Sequence, residues 1–101
     1  MPFGLSEAVI EDIRAILRRY PEVEKVVLYG SRAKGNYKNG SDIDLTLFGD
    51  MLTYQHVFNI SNDLDDSFIP HTVDVSIFAR ISNPKLCDHI ERVGLIFYEK
   101  A

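Results

Sequence analysis

The segment DIDLTLF, residues 42–48, alternates between polar and apolar side chains, and this pattern limits the possible folds more than any other feature of the chain. Successive side chains of a β-strand point to opposite faces, so a period of two predicts a strand with one apolar and one polar face. The apolar face, which must be buried, consists of Ile43, Leu45 and Leu47. The polar face consists of Asp42, Asp44 and Thr46. The strand therefore needs a core on one side and presents two carboxylates on the other.

The rest of the chain alternates between helix and strand patterns. Apolar residues at helical spacing predict an amphipathic helix over about residues 6–19, with Ser6 as its cap and Pro21 beyond its end. A second helix is expected to begin at Thr53, and a third runs from Asn83-Pro84 to Gly94. Apolar and alternating segments predict further strands at residues 24–29, 72–78 and 95–99. The predicted fold class is α/β or α+β, with one small mixed β-sheet flanked by helices.

Length and composition indicate the number of domains, the classes of partner and the compartment that we expect for the protein. The 101 residues, 46% of them hydrophobic, fit a single domain over residues 1–101 with a modest core. A formal net charge of -4 lacks the basic field that drives binding along a nucleic-acid backbone, so we expect no nucleic-acid partner. One cysteine excludes an internal disulfide, and no apolar run reaches membrane-spanning length. We therefore expect a cytoplasmic protein without a membrane partner, whose sheet edges could pair in a homo-oligomer.

Gly30 and Ser31 stand where the strand over residues 24–29 ends and a polar loop, with room for one helical turn, begins. Backbone N–H groups at such a junction favour an anion. Gly30 would allow close approach to the backbone, Ser31 adds a hydroxyl donor, and Arg32 and Lys34 could neutralise phosphate charge. An ordinary turn is the alternative for these residues taken alone.

Asp42 and Asp44 place two like charges on one strand face, where they repel each other unless a cation holds them. Asp74 supplies a third carboxylate, flanked by Val73 and Val75 in a later strand. If the two strands are neighbours, the three acids converge. Mg²⁺ binds such oxygen ligands together with substrate phosphates, and two-metal phosphoryl or nucleotidyl transfer needs this set. A solvated strand face is the alternative for each acid taken singly.

The histidines and tyrosines give weaker evidence for a metal site or a nucleotide-binding site. The histidines are too scattered for a metal motif and are expected at the surface or in packing: His56, His71 and His89. Three tyrosines could flank a nucleotide base, with core or rim packing as the alternative: Tyr29, Tyr37 and Tyr54.

The run GSRAKG, residues 30–35, followed by SDIDL at residues 41–45, closely resembles the signature of the polymerase-beta-like nucleotidyltransferase superfamily, and more narrowly its minimal nucleotidyltransferase branch. The aspartate in VDV at residues 73–75 matches the third acid of that signature. HIERVGLIFY, at residues 89–98, is similar to the closing helix, glycine and strand of the branch. The resemblance spans nearly the whole chain and implies a polymerase-beta-like fold.

The resemblance also implies roles for the candidate residues. Gly30 and Ser31 would hold the triphosphate of ATP, with Arg32 and Lys34 as helpers. The metal ligands for two Mg²⁺ ions would be Asp42, Asp44 and Asp74. The same aspartates would be the catalytic residues, and Asp74 could also take the proton of the hydroxyl that attacks the α-phosphorus.

Members of this branch typically act as antitoxins that transfer AMP to a tyrosine of a HEPN-type toxin, so the resemblance implies a HEPN-domain partner and protein adenylyltransferase activity. One alternative is a non-catalytic nucleotide-binding module that neutralises such a partner by forming a complex. Another is transfer to a small molecule, as in aminoglycoside nucleotidyltransferases, for which this chain is short.

Overall fold

A four-stranded mixed sheet organises the molecule. The computed structural model describes residues 2–101. The strands are β1 (Lys25–Tyr29), β2 (Ile43–Phe48), β3 (Val73–Ile77) and β4 (Leu95–Glu99). The helices are α1 (Glu7–Leu17), α2 (Ser31–Lys34), α3 (Tyr54–Asp65) and α4 (Pro84–Val93). The strand order is β3-β2-β1-β4, with β2 parallel to β3 and antiparallel to β1, and β1 antiparallel to β4. The predicted mixed sheet with flanking helices is confirmed.

The alternation in β2 divides the two faces of the sheet. Its apolar side chains are buried in the main core together with those of α1 and α3, which include Ile13, Leu17, Ile60 and Leu64. This burial is the principal stabilising term, since apolar area removed from water contributes roughly 25 cal/mol per Å². The opposite face carries the acidic residues. It is only partly covered, by α4, which packs on β1.

Gly94, which ends α4, is required for close packing and not for a left-handed backbone conformation. Gly94 has an ordinary negative φ of -62°, so it is not a left-handed helix cap. A Cβ atom at this position would collide with the carbonyl oxygen of Ile90 and with the Cγ1 atom of Val27. Gly94 therefore lets α4 lie close against β1.

The predicted helix boundaries agree with the structure at the caps. The backbone N–H of Val9 donates to Ser6 Oγ at the start of α1. Asn83 accepts from the N–H groups of Lys85 and Leu86 at the start of α4.

No helix among residues 2–101 combines the length and the apolar character needed to cross a membrane.

A partly buried hydrogen bond links the segment that follows α1 to α3. The hydroxyl of Tyr20 donates to Asp63 Oδ2 over 2.5 Å. Burial, this hydrogen bond and the negative charge of Asp63 raise the pKa of Tyr20 to about 12. The phenol is therefore neutral and bonded at any physiological pH, and it fixes the two helices that cover the core face of the sheet.

Replacement of Tyr20 by phenylalanine should lower the free energy of unfolding by about 1 kcal/mol at neutral pH, because a hydrogen bond to a carboxylate is lost. The folded-state pKa lies above the ordinary value, so this stabilisation is complete below pH 10.0 and disappears as the pH rises towards about 12. Urea unfolding of both proteins across this range measures the difference. A difference between the proteins that stays constant throughout would contradict the assignment.

Candidate active site

The acidic residues lie at the edge of the sheet where β1 ends and where β2 and β3 begin. The pairing register sets Tyr29 of β1 opposite Asp44 of β2, and Asp44 opposite Asp74 of β3. Residues paired directly across neighbouring strands point to the same face. The fold therefore brings Asp44 and Asp74 side by side, as expected if their strands are neighbours.

Asp42 lies two residues before Asp44, just ahead of β2, and is exposed. Its negative charge acts on Asp44, as does that of Asp74. Within residues 2–101, however, no three His, Cys, Asp or Glu side chains are grouped closely enough to hold a metal ion by themselves. The three aspartates thus form one electrostatic cluster without forming a closed set of ligands.

The surroundings of Asp44 destabilise its ionised carboxylate. Burial raises the pKa of its carboxyl above the ordinary value, the charges of Asp74 and Asp42 raise it further, and His89 opposes them. An ionised Asp44 therefore lies in a place that disfavours negative charge. A bound cation would relieve this, and an all-carboxylate donor set suits hard divalent ions such as Mg²⁺.

The turn at Gly30 continues β1 directly into the short helix α2. Gly30 has φ 76° and ψ -153°, a conformation that is essentially restricted to glycine. Its carbonyl accepts the first hydrogen bonds of α2, from the N–H groups of Ala33 and Lys34. The N–H groups of Ser31 and Arg32 precede these bonds and have no partner within the helix. The turn thus presents backbone donors at the acidic edge of the sheet.

The missing side chain of Gly30 is what permits the turn to meet the carboxylates. An ideal Cβ atom at this position would collide with Asp44 Oδ2. The glycine lets the Asp44 carboxylate lie directly against the turn. Anion donors and acid groups are therefore adjacent, which is the arrangement needed to bind a phosphate chain together with its counterion.

Arg32 occupies a different place from the one expected of a phosphate contact. Only 3% of its surface is exposed. Its guanidinium donates to the carbonyls of Phe3, at 3.0 Å, Gly4, at 3.3 Å, and Ser41, at 2.9 and 3.2 Å. The expectation that Arg32 faces a phosphate is corrected: its donors are used to tie the N-terminal segment and the loop before Asp42 to α2. Lys34 is exposed on the same helix.

Replacement of Arg32 by lysine should lower the free energy of unfolding by about 2–4 kcal/mol, because a single ammonium cannot serve these separated carbonyls and leaves buried polar groups unpaired. Chemical denaturation measures the loss. The matched control is Lys34→Met on the same short helix, where a change within about 0.5 kcal/mol is expected for an exposed position. Equal stability of the two variants would show that the Arg32 contacts contribute nothing.

His89 belongs to this site, although the sequence placed it at the surface or in packing. Its Nε2 atom accepts the backbone N–H of Gly30 over 3.2 Å. Its ring meets the ring of Tyr29 edge-on, with 6.2 Å between centroids and an angle of 80°. The helical pattern of α4 was visible in the sequence, but nothing local indicated that α4 crosses the end of β1. The resemblance over residues 89–98 was the one available signal.

Of the three candidate tyrosines, Tyr29 is the one that borders the acids. Burial raises the pKa of its phenol, and Asp44 and Asp74 add to this while a hydrogen bond to Ser76 opposes it. Tyr37 lies near the buried Arg32, whose guanidinium carbon is 5.3 Å from the ring centroid. Tyr54 lies at the start of α3, beyond the opposite end of β2.

Replacement of Gly30 by alanine should lower the free energy of unfolding by about 3 kcal/mol, since the backbone conformation is closed to side chains and a Cβ displaces Asp44. Gly35→Ala is the matched control. Gly35 also has a positive φ, 87°, but open space surrounds its Cβ position, so a cost of about 1 kcal/mol is expected. Urea titrations of both variants give the comparison, and equal losses would contradict the assigned collision with Asp44.

Sequence comparison identifies relatives over most of the chain. The family described as polymerase beta, nucleotidyltransferase, matches residues 11–101. A Methanocaldococcus jannaschii protein, described as a candidate protein adenylyltransferase, is 32% identical over 60 residues, which cover 58% of this chain and 59% of that protein. The match thus spans less than two thirds of that relative.

Solved structures share the fold. A chain from a crystal structure of a toxin-antitoxin with AMP-PNP has a TM-score of 0.73 and 22% identity, over 90% of this chain and 73% of that chain. A chain from the MntA-HepT toxin-antitoxin has a TM-score of 0.69 and 20% identity, over 94% and 74%. A chain from the complex of a tri-AMPylated Shewanella oneidensis HEPN toxin with MNT antitoxin has a TM-score of 0.63 and 19% identity, over 95% and 74%.

The family match contains the turn at Gly30, all three aspartates and the α4 helix that carries His89. The likeness to solved structures confirms the predicted polymerase-beta-like fold. The chain therefore belongs to the polymerase beta nucleotidyltransferase family.

Proposed function

We propose that this chain acts as one minimal domain that transfers AMP from ATP to a hydroxyl group of a partner protein, in a metal-dependent reaction. The observation that carries the proposal is the contact between the Gly30 turn and Asp44, with Asp74 beside it in the sheet. At this point β1 ends and β2 and β3 begin. Backbone N–H groups that suit a phosphate and carboxylates that suit its counterion therefore lie next to each other.

In this proposal the turn binds the triphosphate. The N–H groups at Ser31 and Arg32 and the Ser31 hydroxyl donate to phosphate oxygens, and exposed Lys34 adds positive charge at the rim. The Arg32 side chain acts indirectly, by fixing the loop that leads to Asp42. Asp74 accepts the proton of the attacking hydroxyl, whose oxygen bonds to the α-phosphorus as pyrophosphate leaves.

The acids would hold two Mg²⁺ ions: Asp42, Asp44 and Asp74. The raised pKa of Asp44 and the all-oxygen donor set fit this assignment. Since no three His, Cys, Asp or Glu side chains within residues 2–101 are grouped closely enough to hold a metal ion, phosphate oxygens would have to complete the coordination. Bound Mg²⁺ would supply charge stabilisation for the attacking and leaving oxygens.

The partner proposed is a HEPN-type toxin modified on a tyrosine, with this chain as its antitoxin in the cytoplasm. Two findings support it: the M. jannaschii relative is described as a candidate protein adenylyltransferase, and one structure of the same fold contains an AMPylated HEPN toxin. The net charge of -4 argues against a nucleic-acid acceptor.

A second candidate function is non-catalytic nucleotide binding that controls the same partner by complex formation. The open arrangement of the three aspartates favours it, because no metal site is assembled in advance within the described residues. The two candidates differ in one observable, which is covalent modification of the partner.

The test is incubation with ATP, Mg²⁺ and a HEPN-domain protein from the same genome, followed by intact-mass measurement of that protein. Addition of AMP is expected, and Asp42→Ala or Asp74→Ala should slow it by at least about hundredfold, since even outer partners of metal ligands are worth about 10–100-fold. The control is Asp50→Ala, an exposed acid beyond the opposite end of β2. An unmodified partner in a stable complex would instead support the non-catalytic candidate.

A further inference from the structure

Helix α4 contributes one side-chain hydrogen bond to the phosphate-binding turn. It runs beside β1, to which Ile90 and Gly94 hold it closely. His89, next to buried Ile90, faces the turn and accepts the Gly30 N–H at Nε2 over 3.2 Å.

The Gly30 peptide needs such a contact. Gly30 follows the last paired residue of β1, Tyr29, so its N–H lies beyond the ladder with β2. Gly30 has no side chain, and its backbone adopts a conformation that glycine visits at a cost in conformational freedom. Arg32 ties the short helix after the turn to the carbonyl of Ser41. His89 bonds the N–H of Gly30 itself.

We propose that His89 is a positioning residue for nucleotide binding. By accepting the Gly30 N–H, it fixes the plane of the Tyr29–Gly30 peptide, the last one before the turn, and this aims the next N–H groups at the triphosphate. The Tyr29 ring, edge-on to the imidazole, fixes the ring in place. The inference rests on the proposed nucleotide site, but not on catalytic turnover at that site.

Two substitutions separate the hydrogen bond from the packing. His89→Phe keeps a ring against Tyr29 and removes the acceptor, whereas His89→Gln offers a carbonyl oxygen in its place. Calorimetric titration of each protein with ATP and Mg²⁺, without a partner protein, gives the dissociation constant. His89→Phe should weaken binding by about three- to tenfold, and His89→Gln should recover most of the loss. In transfer assays KM for ATP should rise by the same factor, with a smaller change in kcat.

His56 is the matched control, because it makes the same kind of contact far from the site. Its Nδ1 atom accepts the backbone N–H of Thr53 over 3.0 Å, at the start of α3. His56→Phe should lower the melting temperature and leave the ATP affinity unchanged. If His89→Phe behaved like His56→Phe, with only lower stability, the role of His89 would be structural and the inference overturned.

The remaining outcomes are also decisive. Tighter binding by His89→Phe would show that the imidazole competes with phosphate for the Gly30 N–H, which overturns the inference. Failure of the unsubstituted protein to bind ATP would overturn it too, as there would be no bound phosphate to position. ATP binding that depends on His89, without modification of any partner, would support the inference while the proposed transfer activity failed.

Discussion

The contact between the Asp44 carboxylate and the bare backbone of Gly30 is the constraint around which the rest of the site is arranged. It joins the end of β1 to the start of β2 and leaves no room for a side chain on the turn. The core below supplies the rigidity, because Ile43 and Leu45, on either side of Asp44, are fully buried. A small movement of either strand would separate the backbone donors from the acids.

The electrostatics of the site disfavour negative charge on the Asp44 carboxyl. Burial and two neighbouring carboxylates raise the pKa of Asp44, so its ionised form is disfavoured. The nearest positive charge in the sequence has other partners. Arg32, the cation nearest in sequence to the turn, is buried on backbone carbonyls. The guanidinium of Arg32 therefore does not balance the negative charge of the three aspartates.

Two side chains hold the turn at Gly30, and they come from distant parts of the chain. Arg32 binds the N-terminal segment at Phe3 and the loop at Ser41, while His89 reaches Gly30 from α4. A helix of four residues has little stability of its own. Its geometry therefore depends on these tertiary contacts, and so does the direction of its free N–H groups.

Local pattern was sufficient for the elements and for the identity of the acidic face. The period of two in residues 42–48 determined which side chains of β2 enter the main core, because successive side chains of a strand point to opposite faces and Asp44 cannot share the face of Ile43. Caps at Ser6 and Asn83 marked helix starts through contacts within three residues. Such features act over short separations, so the sequence alone contains them.

Tertiary structure decided what depends on separations of many residues. The parallel pairing of β2 with β3 placed Asp74 beside Asp44, the burial of Arg32 turned an expected phosphate contact into an anchor, and the course of α4 brought His89 to Gly30. Residue type and spacing do not reveal these outcomes, because a charged or imidazole side chain is compatible with either solvent or a buried partner. The packing of distant elements determines which partner it meets.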